Sequence, residues 1–141
     1  MKNRFLIFVA LLCVSISCHN DYGYFGGLDE SINKAIDNNT PVKLKDLTSF
    51  DWDRVYFIGV YQDIDVSFIQ NMSRKALSAV QCQRMQGIKD IVIFTKNDKF
   101  VKYTEIYDET LRRMGLWERY DGSIIETFRY GSDLIVPYLG E

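Results

Sequence analysis

From Val55 to Tyr61 the chain reads V-Y-F-I-G-V-Y, and every residue except Gly59 is apolar or aromatic. Side chains in an extended segment alternate between two faces, so a run with no polar side predicts a strand buried on both faces, central in its sheet rather than at an edge. Such a strand needs cover above and below. Asp51 and Asp53 stand at its entrance in F-D-W-D-R, on one side of the extended backbone. They read either as a binding site or as the polar lip of the strand.

The flanking sequence supplies candidate cover. Leu28, Ile32, Ala35 and Ile36 recur at helical spacing, predicting a short helix over 29–38 that Asn38, Asn39, Thr40 and Pro41 would end. Val42, Leu44 and Leu47 alternate with Lys43, Lys45 and Asp46, which suggests a short half-exposed strand. Ile69, Met72, Ala76, Leu77 and Val80 predict a second helix near 65–84, stopped around Gly87, with its apolar stripe on one face of the central strand. Beyond it, residues 90–95 and 100–107 flank the polar turn Lys96-Asn97-Asp98-Lys99 as a hairpin. Residues 108–120 follow as a third helix. Ser123 to Tyr130 and Leu134 to Tyr138 are expected to make a final pair of strands around Gly131-Ser132-Asp133. The fold class is therefore α+β, a single domain over 28–141 that is mainly antiparallel sheet with two or three helices packed on it. No internal repeat suggests a propeller or solenoid.

The N-terminus has the order of parts of a bacterial secretory signal. Lys2 and Arg4 precede an apolar run from Phe5 to Val14, and Ser15, Ile16, Ser17 and Cys18 follow. The run is too short to span a membrane stably. Small residues at Ser15 and Ser17 suit cleavage before Cys18, so residues 1–17 are expected to be a signal peptide and the mature chain to reach the periplasm. A Cys at the mature N-terminus is also what lipoprotein processing uses, which would anchor the protein to the outer membrane through Cys18. A Leu usually stands three residues before such a Cys, and here that residue is Ser15. Residues 18–27, with Gly23, Gly26 and Gly27 among Tyr22, Tyr24 and Phe25, read as a flexible tether.

Two of the 17 basic residues, Lys2 and Arg4, leave with the signal, so 15 face 19 acidic ones in the mature chain, a net charge of about −4. Nucleic acid is a poor partner for that surface, and a cationic protein is a better one. Of three cysteines, Cys13 also leaves. If Cys18 is acylated, Cys82 is a lone thiol; an oxidising periplasm otherwise permits a Cys18–Cys82 disulfide. Of the two, a lone Cys82 buried as a small hydrophobe is the favoured expectation. Nine Phe, nine Tyr and two Trp fit a Phe-rich core, with Tyr free to serve either the core edge or an adhesive face.

The chain lacks a recognisable catalytic set. Its one histidine, His19, lies in the tether, so neither a Ser-His-acid nor a Cys-His arrangement is available, and no G-x-S-x-G is present. The tether glycines do not follow a phosphate-binding order. Zinc would need more His or Cys, and Asp63-Ile64-Asp65 does not complete a calcium loop. Glycoside cleavage needs only two carboxylates, for which Asp51 with Asp53, Asp63 with Asp65, and Glu105 with Glu126 are candidate pairs. With 19 acidic residues in the chain such pairs arise by chance, so the expectation is a binding protein, not an enzyme, with no cofactor and no metal.

F-D-W-D-R-V-Y at 50–56, followed by a helix and by I-V-I-F-T-K-N-D-K-F-V-K-Y at 91–103, resembles small enterobacterial envelope lipoproteins of unassigned role. Those proteins generally continue the strand with Gly-Pro-Tyr, where this chain has Gly59-Val60-Tyr61. In its length, secretory start and single α+β domain, the whole chain also resembles the pesticin-type bacteriocin immunity proteins. That second likeness implies an exported inhibitor bound to a peptidoglycan-cleaving toxin, with the toxin as protein partner; the first implies a structural or assembly role in the envelope. An inhibitor needs aromatic anchors and charges complementary to a groove. The best local stretch is R-R-M-G-L-W-E-R-Y-D, where Trp117 and Tyr120 lie among Arg112, Arg113 and Arg119, cationic groups suited to an acidic cleft. The simpler reading is an amphipathic helix with Trp117 inward and the arginines solvated. Asp51 and Asp53 around Trp52 are the second candidate.

Overall fold

A computed structural model describes residues 23–59, 65–86, 89–116 and 128–137. In chain order the elements are α1 (Leu28–Asp37), β1 (Val42–Lys43), a 3₁₀ turn (Leu44–Leu47), β2 (Arg54–Ile58), α2 (Arg74–Gln86), β3 (Lys89–Lys96), β4 (Lys99–Tyr107), α3 (Asp108–Arg113), β5 (Phe128–Gly131) and β6 (Ile135–Val136). The domain is α+β. Four strands form an antiparallel sheet in the order β4-β3-β2-β5, and β1 with β6 forms a second, two-stranded sheet.

β2 is central, as its composition requires, and both of its faces are buried. Val55 and Phe57 point into one core with Leu28 and Ile32 of α1, Trp52, Val92, Phe94, Ile106 and Leu111. Tyr56 and Ile58 point into the other with Ala76 and Val80 of α2, Ile69, Ile91, Ile93 and Tyr103. A period-two strand with no polar side has thus acquired a helix on each face. Val60 and Tyr61 lie outside the described residues.

Several expected boundaries move. The second helix begins at Arg74, not near 65, because the preceding backbone is used elsewhere. Gln70 donates its N–H to the Asp98 carbonyl at 3.0 Å and accepts from Phe100 N–H at 2.8 Å, a bridge to the edge of β4 that a helical residue could not make. Asn71 then takes a left-handed φ of 61°, and Ser73 Oγ caps the helix by accepting from Ala76 N–H at 3.1 Å. The third helix stops at Arg113; Gly115, with φ 75°, supplies the left-handed residue that ends it. The final strands do not pair with each other. β5 joins β2 and β6 joins β1, because Leu134 and Val136 enter the α1-side core and Leu44 N–H bonds the Leu134 carbonyl at 2.8 Å.

Contacts with the domain are already present at Gly23, the first described residue, ahead of the boundary at Leu28 expected from the sequence. Gly23 accepts from Tyr103 N–H at 2.7 Å, and Phe25 N–H donates to the Tyr103 carbonyl at 2.8 Å. Phe25 also meets the Phe50 ring edge-on. Gly23 has φ 112°, and a Cβ there would stand 2.8 Å from the Phe100 ring, so only glycine fits this approach. Cys82, expected to be a buried small hydrophobe, is exposed on α2, since the buried stripe of that helix runs through Ala76 and Val80. The phenylalanines Phe57 and Phe94 are in the core as expected, while Phe68 is 48% exposed; Tyr56 and Tyr103 are buried, and Tyr24 and Tyr107 are surface residues.

Candidate functional site

The described residues of the two stretches singled out by sequence lie at opposite ends of the main sheet. Asp51 and Asp53 meet the β3–β4 turn, and Arg112 and Arg113 follow the far end of β4. Lys99 to Tyr107 is eight strand steps, about 26 Å at roughly 3.3 Å per residue. One small epitope cannot include both pairs, Asp51 with Asp53 and Arg112 with Arg113.

At the turn, Asn97 and Asp98 both take left-handed φ, 50° and 60°, the two-residue geometry that matches strand twist and suits Asn and Asp. Asp53 holds it, its Oδ2 accepting from Asn97 N–H at 2.9 Å while its own N–H donates to the Thr95 carbonyl at 2.9 Å. Arg54 pairs with Asp98 at 2.7 Å. Asp51 is exposed and sits between Lys96, at 3.0 Å, and Lys45, at 3.5 Å. Lys96, then Lys45, hold its carboxyl below the usual range. Both carboxylates therefore reach neighbouring residues of one hairpin, Lys96 and Asn97. Trp52 between them is fully buried, its Nε1–H donating to Thr48 Oγ1 at 2.8 Å and its ring meeting Phe94 edge-on. It is a core residue, and no partner can stack on it.

At the other end, α1 and α3 meet along a polar seam. Asp29, Asn33 and Asp37 recur every four residues on one stripe of α1. Asp29 Oδ1 accepts from Tyr107 N–H at 2.9 Å and from the buried Thr110 Oγ1 at 2.6 Å, and Asn33 Nδ2 donates to Thr110 Oγ1 at 2.8 Å. Arg113 closes the seam by bonding Asn33 and pairing with Asp37. Arg112 points outward and pairs with Asp108 one turn back at 3.0 Å. Sequence reasoning grouped the two arginines as one cationic patch; the fold uses Arg113 to fasten two helices and leaves Arg112 on the surface. Trp117, Arg119 and Tyr120 lie outside the described residues, as does Cys18. Asp29 and Thr110 were not legible as partners, because their 81-residue separation exists only in the folded chain.

The candidate carboxylate pairs fall only partly within the described residues. A glycosidase needs one carboxyl held protonated. Asp51 is pushed down, and Asp65 is pushed down by the hydroxyl and the N–H of Ser67, the latter donating to its Oδ1 at 2.8 Å. Glu105 faces Lys89 at 3.8 Å. Asp63 and Glu126, the other members of the candidate pairs, lie outside the described residues. Among the described residues no group of three His, Cys, Asp or Glu side chains is placed to hold a metal ion, and no helix is long and apolar enough to cross a membrane.

No protein-family model, no curated protein and no solved structure matches this chain.

Proposed function

We propose that this chain is an exported immunity protein that binds a peptidoglycan-cleaving bacteriocin in the periplasm and blocks it by occlusion. The secretory order of residues 1–18 is the observation that carries this reading, since a toxin acting on the wall must be met outside the cytoplasm. The resemblance to pesticin-type immunity proteins supplies the class of partner. The geometry adds pre-organisation, because an interface residue already held in place loses little freedom on binding. Arg113 locks the end of α3 to α1, and Arg112 is carried outward on that fixed end, just before the sequence continues to Trp117, Arg119 and Tyr120. A cationic side chain on a rigid support suits the acidic cleft of a muramidase.

Protection of a toxin-sensitive strain tests the proposal. The chain with its own leader should confer resistance, and the same domain without residues 1–17 should not. Arg112→Glu in the exported form should weaken toxin binding at least about tenfold, the effect of an anchor worth somewhat more than 1 kcal/mol, with unfolding unchanged. Resistance without the leader, or envelope damage on deletion with no protection against any such toxin, would refute it; the second outcome belongs to an assembly role.

A further inference from the structure

We infer that the outer edge of β4 is a strand-acceptor site for a short extended peptide of the order Gly-aromatic-aromatic, and that residues 23–25 of the chain itself hold it closed. This is independent of the export reading above. In an antiparallel pair, residues directly opposite one another either exchange their backbone bonds or turn them away from each other. Tyr103, opposite Ile93, donates its N–H to the Gly23 carbonyl at 2.7 Å, and its carbonyl accepts from Phe25 N–H at 2.8 Å, so both of its backbone groups point out of the sheet. Alternation puts Glu105, opposite Ile91, and Tyr107, opposite Lys89, in the same class. Tyr107 N–H does leave the sheet, for Asp29 Oδ1 at 2.9 Å. Toward the turn, Phe100 N–H is taken by the Gln70 carbonyl at 2.8 Å. The edge is thus fixed by Gln70 at one end and by Asp29 at the other, with a stretch around Tyr103 between them that offers its backbone to an added strand.

The segment lying on that edge defines what the site takes. In strand addition the backbone bonds attach and the side chains on either face select. Tyr24 goes to the α2 side, where its ring meets Tyr103 edge-on at 5.4 Å, and Phe25 goes to the α1 side, where it meets Phe50 at 5.1 Å. Before them stands Gly23, with φ 112° and the Phe100 ring 2.8 Å from where a Cβ would be, so a larger residue is refused. The segment is otherwise lightly attached. Tyr24 stays exposed, and Gly26 and Gly27 join the segment to α1; Gly27 has φ 83°, and a Cβ there would meet nothing within 4 Å. A strand on a two-glycine link can leave while Leu28 and Ile32 keep α1 in the core. The same link holds it at high effective concentration beside the site, so a peptide from outside competes poorly until the segment is released.

Titration of the chain, expressed with its own leader, with the end-capped peptide Y-G-Y-F-G, residues 22–26, tests this by NMR. Two variants release the segment by different means: Gly23→Val forces a Cβ into the Phe100 ring, and Tyr24→Ala with Phe25→Ala removes the ring contacts. Both should fold and take up the peptide saturably, with shifts at Tyr103, Glu105 and Phe50, and both should bind a peptide with Val in place of its first Gly at least about tenfold more weakly. The unsubstituted chain should take up none under the same conditions. No peptide binding by the folded variants overturns the acceptor site. Equal binding by the unsubstituted chain overturns its closure by residues 23–25, and equal binding of the Val peptide overturns the glycine requirement. Failure of both variants to fold would make these residues part of the core and overturn the separable segment.

Discussion

The two faces of the main sheet are closed in different ways. Under α1 the cover comes from α1, the 3₁₀ turn, α3, β6 and the Trp52 segment, and large side chains such as Trp52, Phe57, Phe94, Leu111 and Met114 are all but fully buried. Among the described residues, the cover under α2 is one helix and the turn at Val66–Ile69, and it leaves Phe68 and Leu77 with substantial exposure. A core walled by many elements cannot relax when a side chain is removed, whereas one lying under a single helix can settle. The α1 face is therefore expected to set the stability of the domain, and the α2 face to be the more tolerant side.

Ile106 and Ile93, both fully buried but on opposite faces, give the largest test. Ile→Ala in a core costs about 2–5 kcal/mol, depending on how far the site collapses. Ile106→Ala should fall near the top of that range and Ile93→Ala near the bottom, read as urea midpoints at constant slope. The reverse order would break the comparison. A middle-sized effect belongs to the polar seam on the α1 side. Asp29→Ala strands Tyr107 N–H and the buried Thr110 hydroxyl, which should cost about 1–3 kcal/mol, and Asp29→Asn should recover part of it through its remaining carbonyl oxygen. Equal losses in the two variants would mean that charge, not the acceptor, is what the seam uses.

The smallest effect is at the hairpin. Asp51 has its folded-state pKa depressed by Lys96 and Lys45, so its contribution is present above the unfolded value near 3.8 and is lost as pH falls through the folded value below it. Carboxyl titration by NMR should place Asp51 below 3.8, and Lys96→Gln should move it up further than Lys45→Gln. Because Asp51 is exposed, neither substitution should shift the unfolding midpoint measurably in moderate salt. A clear shift would show that the hairpin end carries stability that the comparison assigns to the cores.

Much of this architecture was legible residue by residue. The run after Asp53 announced a doubly covered strand, Asn97-Asp98 announced the hairpin, and the 3.6-residue recurrence from Leu28 announced α1. The errors have a common cause. Helical spacing from Ile69 onward extended α2 too far, although Ser73 was a readable cap, because the backbone of Gln70 is claimed by β4. The strands at 128–131 and 135–136 look like a hairpin in sequence, yet each finds a better partner far along the chain. Of the candidate residues, Asp53 proved to hold a turn, Arg113 to join two helices and Trp52 to fill the core, roles set by neighbours dozens of positions away.

By itself, then, the amino-acid sequence determined the class of fold, the centre of the sheet and the helix on either side, because apolar periodicity and turn chemistry act over a few residues. Only the tertiary structure decided which strands are neighbours, which of two adjacent arginines fastens α1 to α3, and that Cys82 faces outward on α2. Those outcomes depend on competition for hydrogen bonds and buried surface between segments distant in the chain, and no local pattern records who wins it.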